Sequence, residues 1–325
     1  MTEDIIQPEL EICDAHHHLF DYPTNSYMFN HLLEDLNSGH KITSTVFVEC
    51  GAMYNKHADE SHAPVGETEF VNGVAAMSAS GQYGATRVCA AIVGFADLTL
   101  GSHVGSILDV HLQKSDRFRG IRHATGWDAS NDIRNSHTKP TQHLLADKTF
   151  RLGFEELAQR NLSFDAWHYH HQISELTHLA KAYPETSIIL DHFGGPLGIG
   201  PYEGKREAIF AQWQLDIEAL SQCANVVVKI GGLLMPINGF DFHKSENLAS
   251  SDQVVAAMLP YVQHTVATFG VDRCMFESNF PVDKVSCSYR TLWNAFKKMS
   301  SEFGTQGQKD LLHNTACRIY RLDNN

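Results

Sequence analysis

The sequence predicts a single (β/α)8 TIM barrel with extended loops at its C-terminal face, one domain over residues 1–325. Three observations lead there: eight short apolar runs, helix-like stretches between them, and polar residues gathered late in each run. The runs are EICDAHH, STVFVEC, RVCAAIVGF, FRGIRHA, LSFDAWHY, SIILDHF, NVVVKIGG and RCMFESNF. Nearly continuous apolar segments of this length suit strands buried on both faces of a parallel sheet.

The connections carry helical patterns, among them FVNGVAAMSASG, FRLGFEELAQR, ISELTHLAKAYP, REAIFAQWQLDIEALSQ, QVVAAMLPYVQHTVATFG and YRTLWNAFKKMSSEF. This alternation implies a parallel α/β architecture. A doubly wound sheet is the rival, but a dinucleotide fold would need G-x-G-x-x-G after its first strand, and DAHHHLFDYP lacks it. Histidines, carboxylates and cations late in each run favour the barrel, which builds its site from strand-to-helix loops. Two long connections, residues 51–67 and 124–147, should rise over that mouth and shape a pocket. The glycine- and proline-rich GGPLGIGPYEG, residues 194–204, reads as a structured turn near the site, and QKDLLHNTACRIYRL as a closing helix.

A net charge of -13 repels polyanions, which argues against nucleic acid as a partner and leaves a small-molecule substrate. No stretch reaches the roughly 20 apolar residues of a membrane helix, and the acidic N-terminus has no signal-like run, so a soluble, cytoplasmic protein without a membrane partner is expected. Assembly into a homo-oligomer stays open. The seven cysteines include no C-x-x-C pair and read as free thiols packed as small apolar side chains.

Residues two apart on a strand face one way, so Asp14, His16 and His18 are expected to share the barrel interior. Two imidazoles at i and i+2 can present two nitrogens to one divalent ion, which is how a hydrolytic zinc site begins, with manganese as the next choice. A hydrogen-bonded pair closing the barrel is the alternative.

DAHHHLFD, RGIRH, LDHFGGP and MFESNFPVD, in that order across the chain, resemble the amidohydrolase superfamily, in particular its lactonase-like branch with 2-pyrone-4,6-dicarboxylate lactonase, 4-sulfomuconolactonase and sugar lactonases. The resemblance implies a (β/α)8 barrel that opens a cyclic ester, with a metal in some members and none in others. It lays the first-strand H-x-H on His16 and His18, the sixth-strand histidine on His192 and the fourth-strand arginine on Arg122. The eighth strand departs from the family's Gly-Ser-Asp-Trp-Pro: Asn279 stands where the Asp is expected, and an amide cannot serve as a general base. Glu277, on the same face two residues earlier, is a replacement base if enclosure raises its pKa, or else the partner of a buried lysine or arginine.

Other inward residues by the same alternation are Glu49, Asp165, Trp167 or His168, His170 and Lys229. His170 leads these, because the superfamily often places a ligand histidine on strand five. Arg122 offers a planar fork for a substrate carboxylate or an oxyanion, or an ion pair with a barrel carboxylate. Lys229, Arg134 or His137 would assist with an anionic lactone, and Trp127 would stack on a ring or pack the lid. The expected scheme has Arg122 and His192 polarising a lactone carbonyl, a carboxylate or metal activating water, and Asn279 orienting it. Decarboxylation or hydration of a small unsaturated acid, and a non-catalytic metabolite-binding barrel, are the competing readings.

Overall fold

The computed structural model describes residues 3–322. Eight parallel strands form one sheet in chain order: β1 Glu11–His17, β2 Lys41–Val48, β3 Arg87–Gly94, β4 Phe118–Ile121, β5 Ser163–Ala166, β6 Ile188–Leu190, β7 Val226–Ile230 and β8 Cys274–Phe276. A helix follows each strand: α1 Phe29–Leu36, α2 Val65–Ala79, α3 Val104–Lys114, α4 Lys148–Gln159, α5 Ile173–Ala182, α6 Arg206–Ser221, α7 Ser251–Phe269 and α8 Tyr289–Ser300. All eight apolar runs hold strands, as their composition requires.

Several strands are shorter than their runs. β6 stops at Leu190 and β8 at Phe276, so Asp191, His192, Glu277 and Asn279 lie just past the strand ends, at the C-terminal mouth. Below them the interior is apolar: Cys13, Ala15, Val46, Val48, Ala91, Val93, Ile189, Val227 and Met275 pack together. Ala316, Cys317, Tyr320 and Leu322 fill the base from outside, so the C-terminal segment is a plug. Its helix is split by a π-helical turn, Asp310–Asn314. A short hairpin, Phe20–Tyr22 with Asn25–Tyr27, the eight-residue helix α1 and the helix α3 are further elements of the fold.

The sheet closes where β1 meets the segment after β8. Asn279 N donates to His16 O (2.9 Å) and His18 N to Phe280 O (2.8 Å), and His17 bridges Phe280 in parallel. Asp14 fastens this seam from outside the barrel. Its carboxylate accepts from Ser278 N (2.9 Å), Ser278 Oγ (2.6 Å) and Tyr289 Oη (2.9 Å). Strict alternation fails here. The β1–β2 register shifts between Asp14 and His17, a bulge that turns Ala15 and His16 both inward and leaves Asp14 facing α8. Asp14 therefore does not share a face with His16 and His18.

Deleting a carboxylate that satisfies four buried donors, the His16 N–H (3.3 Å) among them, strands all of them. Asp14→Ala should lower unfolding free energy by about 3 kcal/mol in urea denaturation, whereas Asp14→Asn, which keeps an acceptor for Ser278 N, should lose under half of that. Equal losses would mean that packing, not hydrogen bonding, holds the seam.

Candidate active site

His16 and His18 project into the mouth from the end of β1. His18 Nδ1 bonds Val48 O (2.8 Å); a carbonyl only accepts, so this nitrogen carries the proton and Nε2 is a free acceptor. That Nε2 lies 3.2 Å from His16 Nε2. Burial, then the nearby Arg122 guanidinium, push His18 down to about 3, and burial pushes His16 well below the ordinary histidine range. Both rings are neutral bases at physiological pH.

Glu277 stands between two imidazoles. Its Oε1 accepts from His192 Nδ1 (2.6 Å) and from His192 N (3.2 Å), and its Oε2 is 2.9 Å from His16 Nδ1. Burial alone would raise this carboxyl, but the His192 and His16 rings that face and hydrogen-bond it outweigh burial and hold Glu277 at about 2. The expectation of a raised pKa suited to proton transfer is thus reversed: Glu277 stays ionised, and its partners are histidines rather than lysine or arginine. An ionised carboxylate on Nδ1 fixes the His192 tautomer and leaves Nε2 unprotonated.

Local backbone makes this possible. His192 and Phe193 both adopt left-handed angles (φ 53° and 55°), bending the chain back over the barrel directly after β6. Gly231 and Gly232 follow β7, and a Cβ on Gly232 would overlap the His192 ring, while one on Gly231 would overlap Glu277 Cγ.

Under the histidines lies an ionic layer. Lys229 Nζ contacts Asp165 Oδ2 (2.6 Å), Asp191 Oδ1 (3.1 Å) and His16 Nδ1 (3.2 Å), and Tyr320 Oη from the plug donates to Asp165 (2.7 Å). Arg122 Nε bonds Glu49 Oε1 (2.7 Å), its Nη2 bonds Glu49 O, and its Nη1 reaches His16 Nε2 (3.3 Å) and Asp191 Oδ2 (3.6 Å). Of the two roles open to Arg122, the ion pair with a barrel carboxylate is the one formed. Lys229 is fully buried below the mouth with its ammonium engaged by protein groups. Burial raises the Glu49 carboxyl, yet Arg122 and His137 hold it at about 2.

Asn279 has a left-handed backbone (φ 54°), and its Nδ2 donates to Asp283 Oδ1 (3.2 Å). Burial pushes Asp283 up to about 7. The carboxylate missing at 279 is thus present four residues on. His170 and Trp127 belong to the loop layer. His170 Nδ1 accepts from Leu197 N (3.3 Å) and its ring packs on Tyr202, and Trp127 N donates to Gln172 Oε1 (3.0 Å). The ring edge-on to His192 is Trp167 (4.9 Å). His137, from the long 124–147 loop, lies 3.2 Å from Glu49 Oε2 and is 40% exposed, which sets that loop over the mouth.

Among the described residues, His16, Asp191 and His192 bring one ligand atom each to within 4.8 Å of one another. Both Asp191 oxygens are buried and are met by ion pairs alone, Oδ1 with Lys229 at 3.1 Å and Oδ2 with Arg122 at 3.6 Å. Four buried carboxylates, Glu49, Asp165, Asp191 and Glu277, face two cations, Arg122 and Lys229, so a divalent ion would balance the layer. The nitrogen and oxygen donor set suits zinc or manganese. The site can therefore accept such an ion on His16, Asp191 and His192, with His18 Nε2 beside His16. Asp191 and Asp283 were missed by alternation, since a period of two applies only within a strand and both lie past one.

Comparison with known proteins places this geometry. The amidohydrolase family profile matches residues 13–322. The protein y4mH of Sinorhizobium fredii is 32% identical over 97% of this chain and 99% of its own. L-fucono-1,5-lactonase of Burkholderia ambifaria is 24% identical over 73% of this chain and 72% of its own. A zinc-bound amidohydrolase structure from Burkholderia multivorans superposes with a TM-score of 0.73 at 18% identity, covering 95% of this chain and 99% of that one. With its barrel, its mouth histidines and a match over nearly its whole length, the chain belongs to the amidohydrolase family.

Proposed function

We propose that this chain hydrolyses a small, anionic lactone, opening the cyclic ester to a hydroxy acid. The observation that carries the reading is the His192–Glu277 pair: an imidazole held at Nδ1 by an ionised carboxylate at 2.6 Å, an arrangement that leaves Nε2 to take a proton. This is the arrangement of a general base and its orienting group. The similarity to L-fucono-1,5-lactonase supports a cyclic ester as substrate.

In this reading His192 Nε2 takes a proton from water as the oxygen adds to the lactone carbonyl, and returns it to the ring oxygen when the C–O bond breaks. Asn279, its Nδ2 held by Asp283, keeps its carbonyl oxygen to accept from that water. Arg122, anchored by Glu49, supplies positive charge beside the developing oxyanion. His137 and Arg134 on the 124–147 loop favour a substrate carboxylate. A zinc or manganese ion on His16, Asp191 and His192 would occupy His192 Nε2 and would supply the activation of water in place of that base. Asn279 in place of the strand-eight aspartate keeps decarboxylation or hydration of an unsaturated acid as the second reading, and product analysis separates them.

On a panel of sugar lactones and carboxylated lactones, ring opening followed by acid release should occur. Release of carbon dioxide, water addition without ring opening, or stoichiometric binding without turnover would overturn the lactonase reading. His192→Asn should lower kcat by about 10³-fold or more and Glu277→Gln by about 10²-fold. Near-normal turnover in either removes that residue from the proposed chemistry.

Metal content is checked directly. Elemental analysis should find zinc or manganese in the purified protein, and Asp191→Asn should reduce that content. Full occupancy in the variant would place the ion elsewhere.

Asp283 makes a prediction in stability. Its folded pKa, about 7, lies above the ordinary 3.8, so folding favours the protonated form. The associated stability is present below pH 4 and is lost as pH rises through 7. Urea midpoints should therefore fall less between pH 4 and 8 in Asp283→Asn than in the parent chain; parallel curves would mean that Asp283 titrates normally.

A further inference from the structure

The plug carries chemistry of its own at the opposite end of the barrel. Cys317, in the helix Thr315–Ile319, and Cys13, on β1, lie in the same buried cluster at the base, and Cys317 is the strongest electrostatic influence on the Cys13 thiol. His313, four residues before Cys317 and one helical turn away, places Nε2 3.5 Å and Nδ1 3.8 Å from Cys317 Sγ. Read from sequence, Cys317 is one more small packing residue. In the fold it has an imidazole on one side and a second thiol on the other.

Cys317 combines these partners with a cavity at its side. Cys317, itself 2% exposed, borders a cavity of about 430 Å³ lined by Asp272, Asp310, Asn314, Thr315 and Arg318, and His313 is half-buried. Cys89 also has an imidazole within reach, His17 Nε2 at 3.9 Å, but both are sealed inside the wall of the barrel. The Cys13–Cys317–His313 group does not converge tightly enough for an ion. Among the described residues the three metal-ligating side chains that do converge are His16, Asp191 and His192.

We propose that Cys317, Cys13 and His313 form a redox-modification site, in which Cys317 is oxidised by a hydroperoxide and then joined to Cys13 as a reversible disulfide that fastens the plug to β1. The Cys317 thiolate attacks one peroxide oxygen; the S–O bond forms, the O–O bond breaks, and the leaving hydroxide takes the His313 proton to become water. The Cys13 sulfur then attacks the sulfenic acid. The S–S bond forms, the S–O bond breaks, and the hydroxyl leaves as water with the Cys13 proton. Two thiols and one hydrogen peroxide thus give one disulfide and two waters.

The electrostatics agree with these roles. Contact with Cys317 is the largest influence on His313 and, against burial, pushes it up to about 9, so the ring is a cation able to favour a thiolate. Cys13 is pushed well above its ordinary value, first by the Cys317 contact and then by burial, which suits a partner that reacts second. The consequence reaches the mouth. Tyr320, three residues past Cys317, holds Asp165, which holds Lys229 under Asp191 and His16. A covalent tie between strand one and the chain's end also restrains the unfolded chain over nearly its whole length.

The test uses the full chain under native conditions with hydrogen peroxide. Intact mass should fall by about 2 Da, the two hydrogens of a dithiol. Non-reducing peptide mapping should find Cys13 joined to Cys317, and dithiothreitol should reverse it. In Cys13→Ser the reaction should stop at a sulfenic acid on Cys317 that dimedone captures. His313→Gln should slow loss of the Cys317 thiol about tenfold or more at neutral pH. The proposal is overturned if Cys317 stays reduced while the protein remains folded, if it pairs with another cysteine, or if His313→Gln reacts at the parental rate. Should either variant fail to fold, the parental mass change, cross-link and reversal decide the question alone.

Discussion

Glu277 is a carboxylate with no access to water, accepting from His192 on one oxygen and lying against His16 on the other. Removing such a charge from solvent costs several kcal/mol, and nearby positive charge and hydrogen bonds are the means of offsetting it. Most features of the mouth follow from meeting that requirement. His192 must turn back in a left-handed conformation to reach the carboxylate, and Gly231 and Gly232 must lack side chains to leave room for both. The bulge in β1 must bring His16 inward one residue sooner than simple alternation allows. In return, Glu277 fixes which nitrogen of His192 is free.

The interior is ordered in layers along the barrel axis. At the base, apolar strand residues meet the C-terminal plug; above it, Asp165, Lys229, Asp191, Glu49 and Arg122 form an ionic layer; above that stand His16, His18 and His192. Lys229 links the lower two layers to the top, touching Asp165, Asp191 and His16 at once. The ionic layer supports the histidines through Lys229 and Arg122, which both reach His16. The loop layer, with His137, Trp167 and His170, covers them from the other side.

Much of this was legible in the sequence, within a definable range. Strands read well because a parallel barrel buries both faces, so VFV, IIL and VVV betray themselves by composition alone. α1 and α3 are short or mixed in pattern and did not. At the site, His16, His18, His192, Arg122, Lys229 and Glu277 do come together, since each sits at or next to a strand end. Asp191 and Asp283 were invisible to period-two reasoning, because the chain had already left the strand. The sign of the Glu277 shift was also beyond reach: enclosure argues upward, and only the positions of His16 and His192 reveal that their contacts with the carboxylate win. The partnership of Cys13 with Cys317 spans nearly the whole chain and required the fold itself.

The central claim is that an ionised Glu277 holds His192 with its proton on Nδ1 and its Nε2 free. Long-range ¹H–¹⁵N correlation spectra of histidine-labelled protein report the protonated nitrogen of each ring, with His192 assigned by its loss in His192→Asn. The account predicts an Nδ1–H tautomer for His192 at neutral pH. A His192 ring protonated on Nε2 alone would contradict it, because that ring could neither donate to Glu277 nor accept a proton from water.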